Sequence, residues 1–150
     1  MATTTAMCTS FKVGLFNATH NFAAAGGSTF KLALIKATPT GTYGAASTNY
    51  SDITGNSDEA SGTGYTAGGV TLTNIDPTSS GTTAFPDFAD PTAWTITGSL
   101  SADGCMIYNS SASNAAVSTH DFGSTKTATD GDFTITMPTA DASNAILRIA

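Results

Sequence analysis

The sequence predicts an all-β domain, a β-sandwich or jelly-roll-like fold of about eight or nine short antiparallel strands, on three observations. Threonine and serine supply 28 and 16 of the 150 residues and glycine another 15, a composition that favours short strands and turns over long helices. Apolar residues alternate with polar ones over runs of five to seven residues, the period of a half-buried strand. Between those runs stand Asp76-Pro77, Asp90-Pro91, Asp103-Gly104, Phe122-Gly123 and Asp130-Gly131, which is turn chemistry at the spacing of a sandwich or barrel. Hydrophobic residues make up 40% of the chain, but 24 of them are alanine, so one thin two-layer core is expected.

Along the chain, residues 1–9 read as a flexible arm, mobile or partner-bound, and residues 10–150 as a single β domain. Phe11, Val13 and Leu15 alternate with Lys12 and Gly14, which predicts a first strand over 10–16. The stretch 17–28 ends in Gly26-Gly27 and reads as a loop. Phe30, Leu32 and Leu34 alternate with Lys31 and Ala33, giving the clearest strand, over 29–36. Residues 39–69 are a long polar loop anchored by Tyr43, Tyr50, Ile53 and Tyr65, with a short helix possible over 47–53. Further strands are expected over 70–75, 82–88, 92–97, 104–108, 118–122, 133–137 and 145–149.

Charge excludes whole classes of partner. Eleven acidic against five basic residues leave a net charge of −6, with no basic stripe to neutralise phosphates, so no nucleic-acid partner is expected. No apolar run approaches the ~18 residues of a membrane span, and the opening MATTTAM lacks the basic and apolar regions of a secretory signal.

Candidate chemistry reduces to structural readings. Gly62-Thr63-Gly64-Tyr65-Thr66-Ala67-Gly68-Gly69 imitates a dinucleotide fingerprint. It is followed by the β-branched run Val70-Thr71-Leu72-Thr73 and not by a helix, so it reads as a tight turn entering a strand with Tyr65 packed on it. Asp130-Gly131-Asp132 reads as a hairpin turn, and neither it nor Asp87 with Asp90 has the ligand run of a calcium loop. His20 and His120 are the only histidines, and Cys8 and Cys105 lie far apart without metal spacing, so no metal or cofactor is expected. His120 and Asp121 would point to opposite faces of a strand, which implies no catalytic dyad. Whether the two cysteines pair is left open. Trp94, the sole tryptophan, reads as a core anchor, the alternative being a sugar-stacking platform.

A neutral surface rich in hydroxyls is poorly guarded against edge-to-edge strand pairing, and burial of those edges by neighbours in an assembly resolves the difficulty. The ordered blocks GTGYTAGGVTL (62–72), DPTAW (90–94), GCMIYN (104–109), HDFG (120–123), DGDFTIT (130–136) and ILRIA (146–150), with FKVGLF and FKLALI before them, resemble small virion structural proteins of tailed bacteriophages. The chain departs from that group at Asp103, where a basic residue often precedes the glycine. The resemblance implies a non-enzymatic head decoration or cement protein, made in the host cytoplasm and located on the capsid exterior. Its partners would be the major capsid protein and further copies of itself, as a dimer or trimer. The expected contacts are the arm from Ala2 and Thr3 to Thr9, the loop tyrosines Tyr43, Tyr50 and Tyr65, and Lys31 and Lys36 toward acidic capsid surface. A tail or fibre component is the nearest alternative reading and a carbohydrate-binding module using Trp94 and the tyrosines the next. A small hydrolase ranks last, since no nucleophile is visible with its base.

Overall fold

A computed structural model describes residues 3–150. It is mostly β, 44% strand against 9% helix, which places the chain in the all-β class with antiparallel sheets. Seven strands and two helices follow one another among the described residues: β1 (Ala6–Met7), α1 (Thr9–Phe16), β2 (Phe30–Lys36), α2 (Ser51–Gly55), β3 (Val70–Thr71), β4 (Asn74–Ser80), β5 (Thr83–Phe88), β6 (Trp94–Asn109) and β7 (Ala115–Phe133). Five form a sheet in the order β1-β7-β6-β2-β3, and β4 and β5 form a separate two-stranded ribbon.

The expected strand over 10–16 is a helix. Phe11 and Leu15 also satisfy a helical face, because they are four residues apart and Gly14 lies beside them. Phe11 and Gly14 are the buried positions, and Val13 is turned out to solvent. A Cβ on Gly14 would stand 2.6 Å from His20 Nε2, so the glycine admits the His20 ring, which packs 4.9 Å from Phe11. Ala18, at φ 55°, ends the helix in the left-handed region.

The expected strands over 92–97 and 104–108 are one strand, β6, and the one expected over 118–122 is part of a longer strand, β7, that runs on to Phe133, the first residue of the strand expected over 133–137. Asp103-Gly104, Phe122-Gly123 and Asp130-Gly131 are therefore irregularities within a long hairpin and not turns between strands. The register shifts between Ile96 and Ser99 and again between Ala102 and Gly104, with Gly98, Gly123 and Asp130 at positive φ. A bulge uses the same residues as a turn but bends the ribbon without reversing it. Residues 134–137 leave the sheet. Of the expected 145–149 strand there is one isolated bridge, Ile149 to Ala84. The short helix sought over 47–53 forms as α2, four residues later, with Ile53 fully buried.

Register divides the central sheet into two buried faces, because directly paired residues share a face. Phe30, Leu32 and Leu34 lie with Asn109, Ile107 and Cys105. On that side Phe22 stacks on Phe30 at 4.4 Å and Phe88 meets it edge-on at 5.6 Å, so α1, the 17–28 loop and the ribbon form its cover. Lys31 and Ala33 lie with Tyr108 and Met106 on the other side, where Tyr50 stacks on Tyr108 at 4.6 Å. The 39–69 loop is the cover there. Trp94 is 7% exposed and contacts Tyr65 and Phe133 at 5.4 and 6.3 Å, which is the core position the sequence favoured. No helix among the described residues is long and apolar enough to cross a membrane.

Candidate functional site

Four of the residues that the sequence offers as contacts, Lys36, Tyr43, Tyr50 and Tyr65, gather around two adjacent carboxylates, Asp58 and Glu59. This segment runs beside the end of β2: Lys36 N–H donates to the Asp58 carbonyl at 2.8 Å and Ala60 N–H to the Leu34 carbonyl at 2.9 Å. Neighbouring residues of an extended chain point in opposite directions, so each acid serves a different cluster.

Asp58 is fully buried. Its Oδ1 accepts from Thr40 N–H at 3.0 Å, Thr40 Oγ1 at 3.1 Å and Lys36 Nζ at 2.9 Å. Its Oδ2 accepts from Gly41 N–H at 2.7 Å and the Tyr43 hydroxyl at 2.5 Å. Burial pushes the carboxyl up, but the Thr40 N–H, the Tyr43 hydroxyl, the Gly41 N–H and the Lys36 ammonium outweigh it and hold Asp58 well below the usual carboxylate range. Tyr43 is pushed the other way, to about 12, first by burial and then by its bond to the carboxylate.

Glu59 takes the other side. Tyr50 Oη donates to it at 2.5 Å, Tyr65 Oη at 2.9 Å and Gly68 N–H at 2.6 Å. Tyr65 Oη in turn accepts from Leu34 N–H at 3.0 Å, and Tyr108 Oη donates to the Gly68 carbonyl at 2.8 Å. The glycine run is thereby a turn packed on the sheet: at Gly69, φ 73°, a Cβ would run into the Leu32 carbonyl. Val70 and Thr71 then pair with Leu32 and Lys31.

Most of the candidates thus have internal roles. Tyr43 is 1% exposed and Tyr50 and Tyr65 are half-buried, which withdraws Tyr43 from any outer surface. Lys36 is bound to Asp58 and to the Ser57 carbonyl, and Lys31 stands half-buried beside the Gly68 turn. Thr3 is buried and bridges Tyr43 in parallel, Thr4 N–H donates to the Tyr43 carbonyl, and Thr9 is the exposed first residue of α1. The described part of the arm is laced to the body; Ala2 lies outside the described residues. The two acids that organise these groups were missed by sequence reasoning. The signal available was an Asp-Glu pair holding the only glutamate of the chain.

Two further features carry polar chemistry. Ser118 Oγ and His120 Nε2 are 2.9 Å apart on one face of β7, lining a cavity of about 430 Å³ under Met7, Ala145 and Arg148. Burial lowers the imidazole to about 4. Asp121 pairs with Gly104 while His120 pairs with Cys105, so the two side chains leave opposite faces, as expected from their adjacency. Cys8 and Cys105 are both free and buried, and burial pushes their thiols up to about 11 and 12. Among the described residues no cluster of histidine, cysteine and acidic side chains has the geometry of a metal site.

The outer surface offers apolar groups that sequence reasoning did not single out. Phe16 is 94% and Val13 56% exposed, three residues apart on the outward side of α1. On the other side of α1 an apolar cleft of about 160 Å³ is lined by Phe11, Leu15, Phe22, Phe85 and Ile149. Comparison with known protein families, curated proteins and solved structures gives no match to this chain.

Proposed function

We propose that the chain is a non-enzymatic bacteriophage structural protein, a capsid decoration or cement protein on the outer surface of the head. Its body is read as a β-sandwich in the loose sense, with the five-stranded sheet and the β4–β5 ribbon as layers. It binds the major capsid protein and other copies of itself, and the particle exterior is its location.

The observation that carries this reading is the outward apolar side of α1. A phenylalanine with 94% of its surface in water, three residues from a half-exposed valine, is a costly surface for a solitary protein and a useful one for an adhesive subunit. Locking of the 39–69 loop by Asp58 and Glu59 supports the same reading, because a rigid body loses little conformational freedom on docking. Repetition of one modest contact over a closed shell supplies avidity.

Purified particles test the proposal. The chain should be present on the head at a fixed copy number, and Phe16→Ser should lower its occupancy about tenfold at subsaturating protein, from the lost apolar burial. Absence from particles, a position on the tail, or undiminished occupancy of the Phe16→Ser variant would overturn it; a tail position would favour the tail or fibre alternative.

A further inference from the structure

The surface of the chain carries an apolar knob and an apolar hole. The knob is Phe16, the most exposed large apolar side chain among the described residues, at 94%. It closes α1, and Asn17, Ala18 and Thr19 after it are exposed as well, so the ring stands on a projecting corner. The hole is the cleft of about 160 Å³ on the other side of α1, and every residue of its wall except Arg148 is apolar. Two wall residues, Ala84 and Ile149, are themselves exposed, so the cleft is reached from outside.

Size and chemistry name the occupant. An apolar cavity of about 150 Å³ lined by leucine, isoleucine and phenylalanine takes up benzene. This cleft has walls of the same kind, Phe11, Leu15, Phe22, Phe85 and Ile149, at nearly that volume, so a single phenyl ring fills it. Its three phenylalanines favour a ring over an aliphatic chain through edge and face contacts, and the guanidinium that Arg148 brings to the wall attracts the face of a ring. The chain itself presents such a ring, and every copy brings one ring and one cleft.

We propose that Phe16 of one copy inserts into the cleft of the next. This deepens the self-association in the reading above and rests on it. Knob and hole lie on opposite sides of one helix, so a single neighbour cannot receive the ring and return its own about a two-fold axis. Each copy gives to one neighbour and takes from another, a heterologous contact whose smallest closed form is a ring of three. One phenyl ring is a small anchor for a complex in solution; on a shell, where copies are held close together, the same contact is repeated and strengthened.

Sedimentation equilibrium of complementary variants tests it. The native chain should self-associate weakly, and more strongly as salt rises, because each copy carries a net charge of −6 and the anchor is apolar. Phe16→Ser removes the knob, and Ala84→Trp fills the cleft from an exposed position on β5; each alone should weaken association about tenfold or more. Mixed, the two variants should form a one-to-one pair and grow no further, since the first keeps a cleft and the second keeps a ring. A native chain monomeric at the highest measurable concentration, an Ala84→Trp variant that associates like the native chain, or a mixture that does not pair would each overturn the contact, the last by giving the cleft to another occupant. Ile149→Asp, which sets a carboxylate at the exposed side of the cleft, repeats the test should Ala84→Trp misfold, and thermal melts of every variant confirm the fold. Head occupancy is read separately. A chain monomeric in solution but present on the head removes the knob-and-cleft contact and leaves the decoration reading standing, whereas Phe16-dependent association of a chain absent from particles upholds the contact and removes that reading.

Discussion

Asp58 has each carboxylate oxygen turned to a donor that cannot reverse, the Thr40 N–H and Lys36 ammonium on Oδ1 and the Gly41 N–H on Oδ2, with the Thr40 and Tyr43 hydroxyls beside them. In Asp58→Asn the amide NH₂ must face one of these sets in either orientation, and the Lys36 charge loses its counter-ion. Breaking a buried pair from one side costs about 3–5 kcal/mol; one third exposure of the Lys36 side chain places the expectation at the lower end, near 3 kcal/mol. Denaturant unfolding should show the midpoint falling with an unchanged slope. A loss below about 1 kcal/mol would mean that the 39–69 loop is held by its tyrosines alone. Asp58 and Glu59 are also why the loop tyrosines misled: three tyrosines in a polar stretch look like contacts for a partner, and composition does not reveal that adjacent acids on an extended segment gather them inward.

Helix α1 and the β6–β7 hairpin are where local pattern and three-dimensional packing part company. Phe11, Val13 and Leu15 fit period 2, Phe11 and Leu15 alone fit a helical turn, and the decision is made by His20, which needs the bare Gly14 surface. Gly14→Ala should therefore destabilise: the helix gains about 1 kcal/mol in propensity, but the new Cβ meets a ring that is itself buried and bonded to Asn109 at 3.1 Å, an overpacking cost of about 1–3 kcal/mol. Gly55→Ala at the end of α2, where a Cβ meets nothing within 4 Å, should be neutral or stabilising by up to about 1 kcal/mol. Paired thermal melts decide this, and a stabilised Gly14→Ala would show that His20 moves aside freely. The strand over 29–36 was legible because it is buried on both faces and uninterrupted. The hairpin was not, since Asp-Gly and Phe-Gly pairs end strands or bulge them according to a partner strand that lies up to 39 residues away, from Trp94 to Phe133.

For the molecule as a whole, acid should act in two separate windows. His120 takes a proton near 6.5 when unfolded and near 4 when folded, because burial strips water from the charged ring, and neither Cys105, its partner across the ladder, nor Ser118 beside it supplies an anion. Between those values the unfolded chain binds more protons, so stability is full above about 6.5 and falls as pH drops toward 4. Each unit is worth ~1.4 kcal/mol; with the ring partly exposed, the expected loss is on the order of 2 kcal/mol. His20, lowered by burial, adds in the same direction. Asp58 behaves oppositely in origin: its folded value lies below the ordinary 3.8, so its contribution persists through this window and is lost only at lower pH. Acidification also relieves the repulsion within a chain of net charge −6, which works against the histidines, and the comparison must therefore be internal. Denaturant midpoints at pH 7 and 4.5 for the native chain and His120→Gln provide it. The native chain should lose more between the two pH values than the variant does, and equal losses would place the acid sensitivity elsewhere than at the Ser118–His120 face of β7.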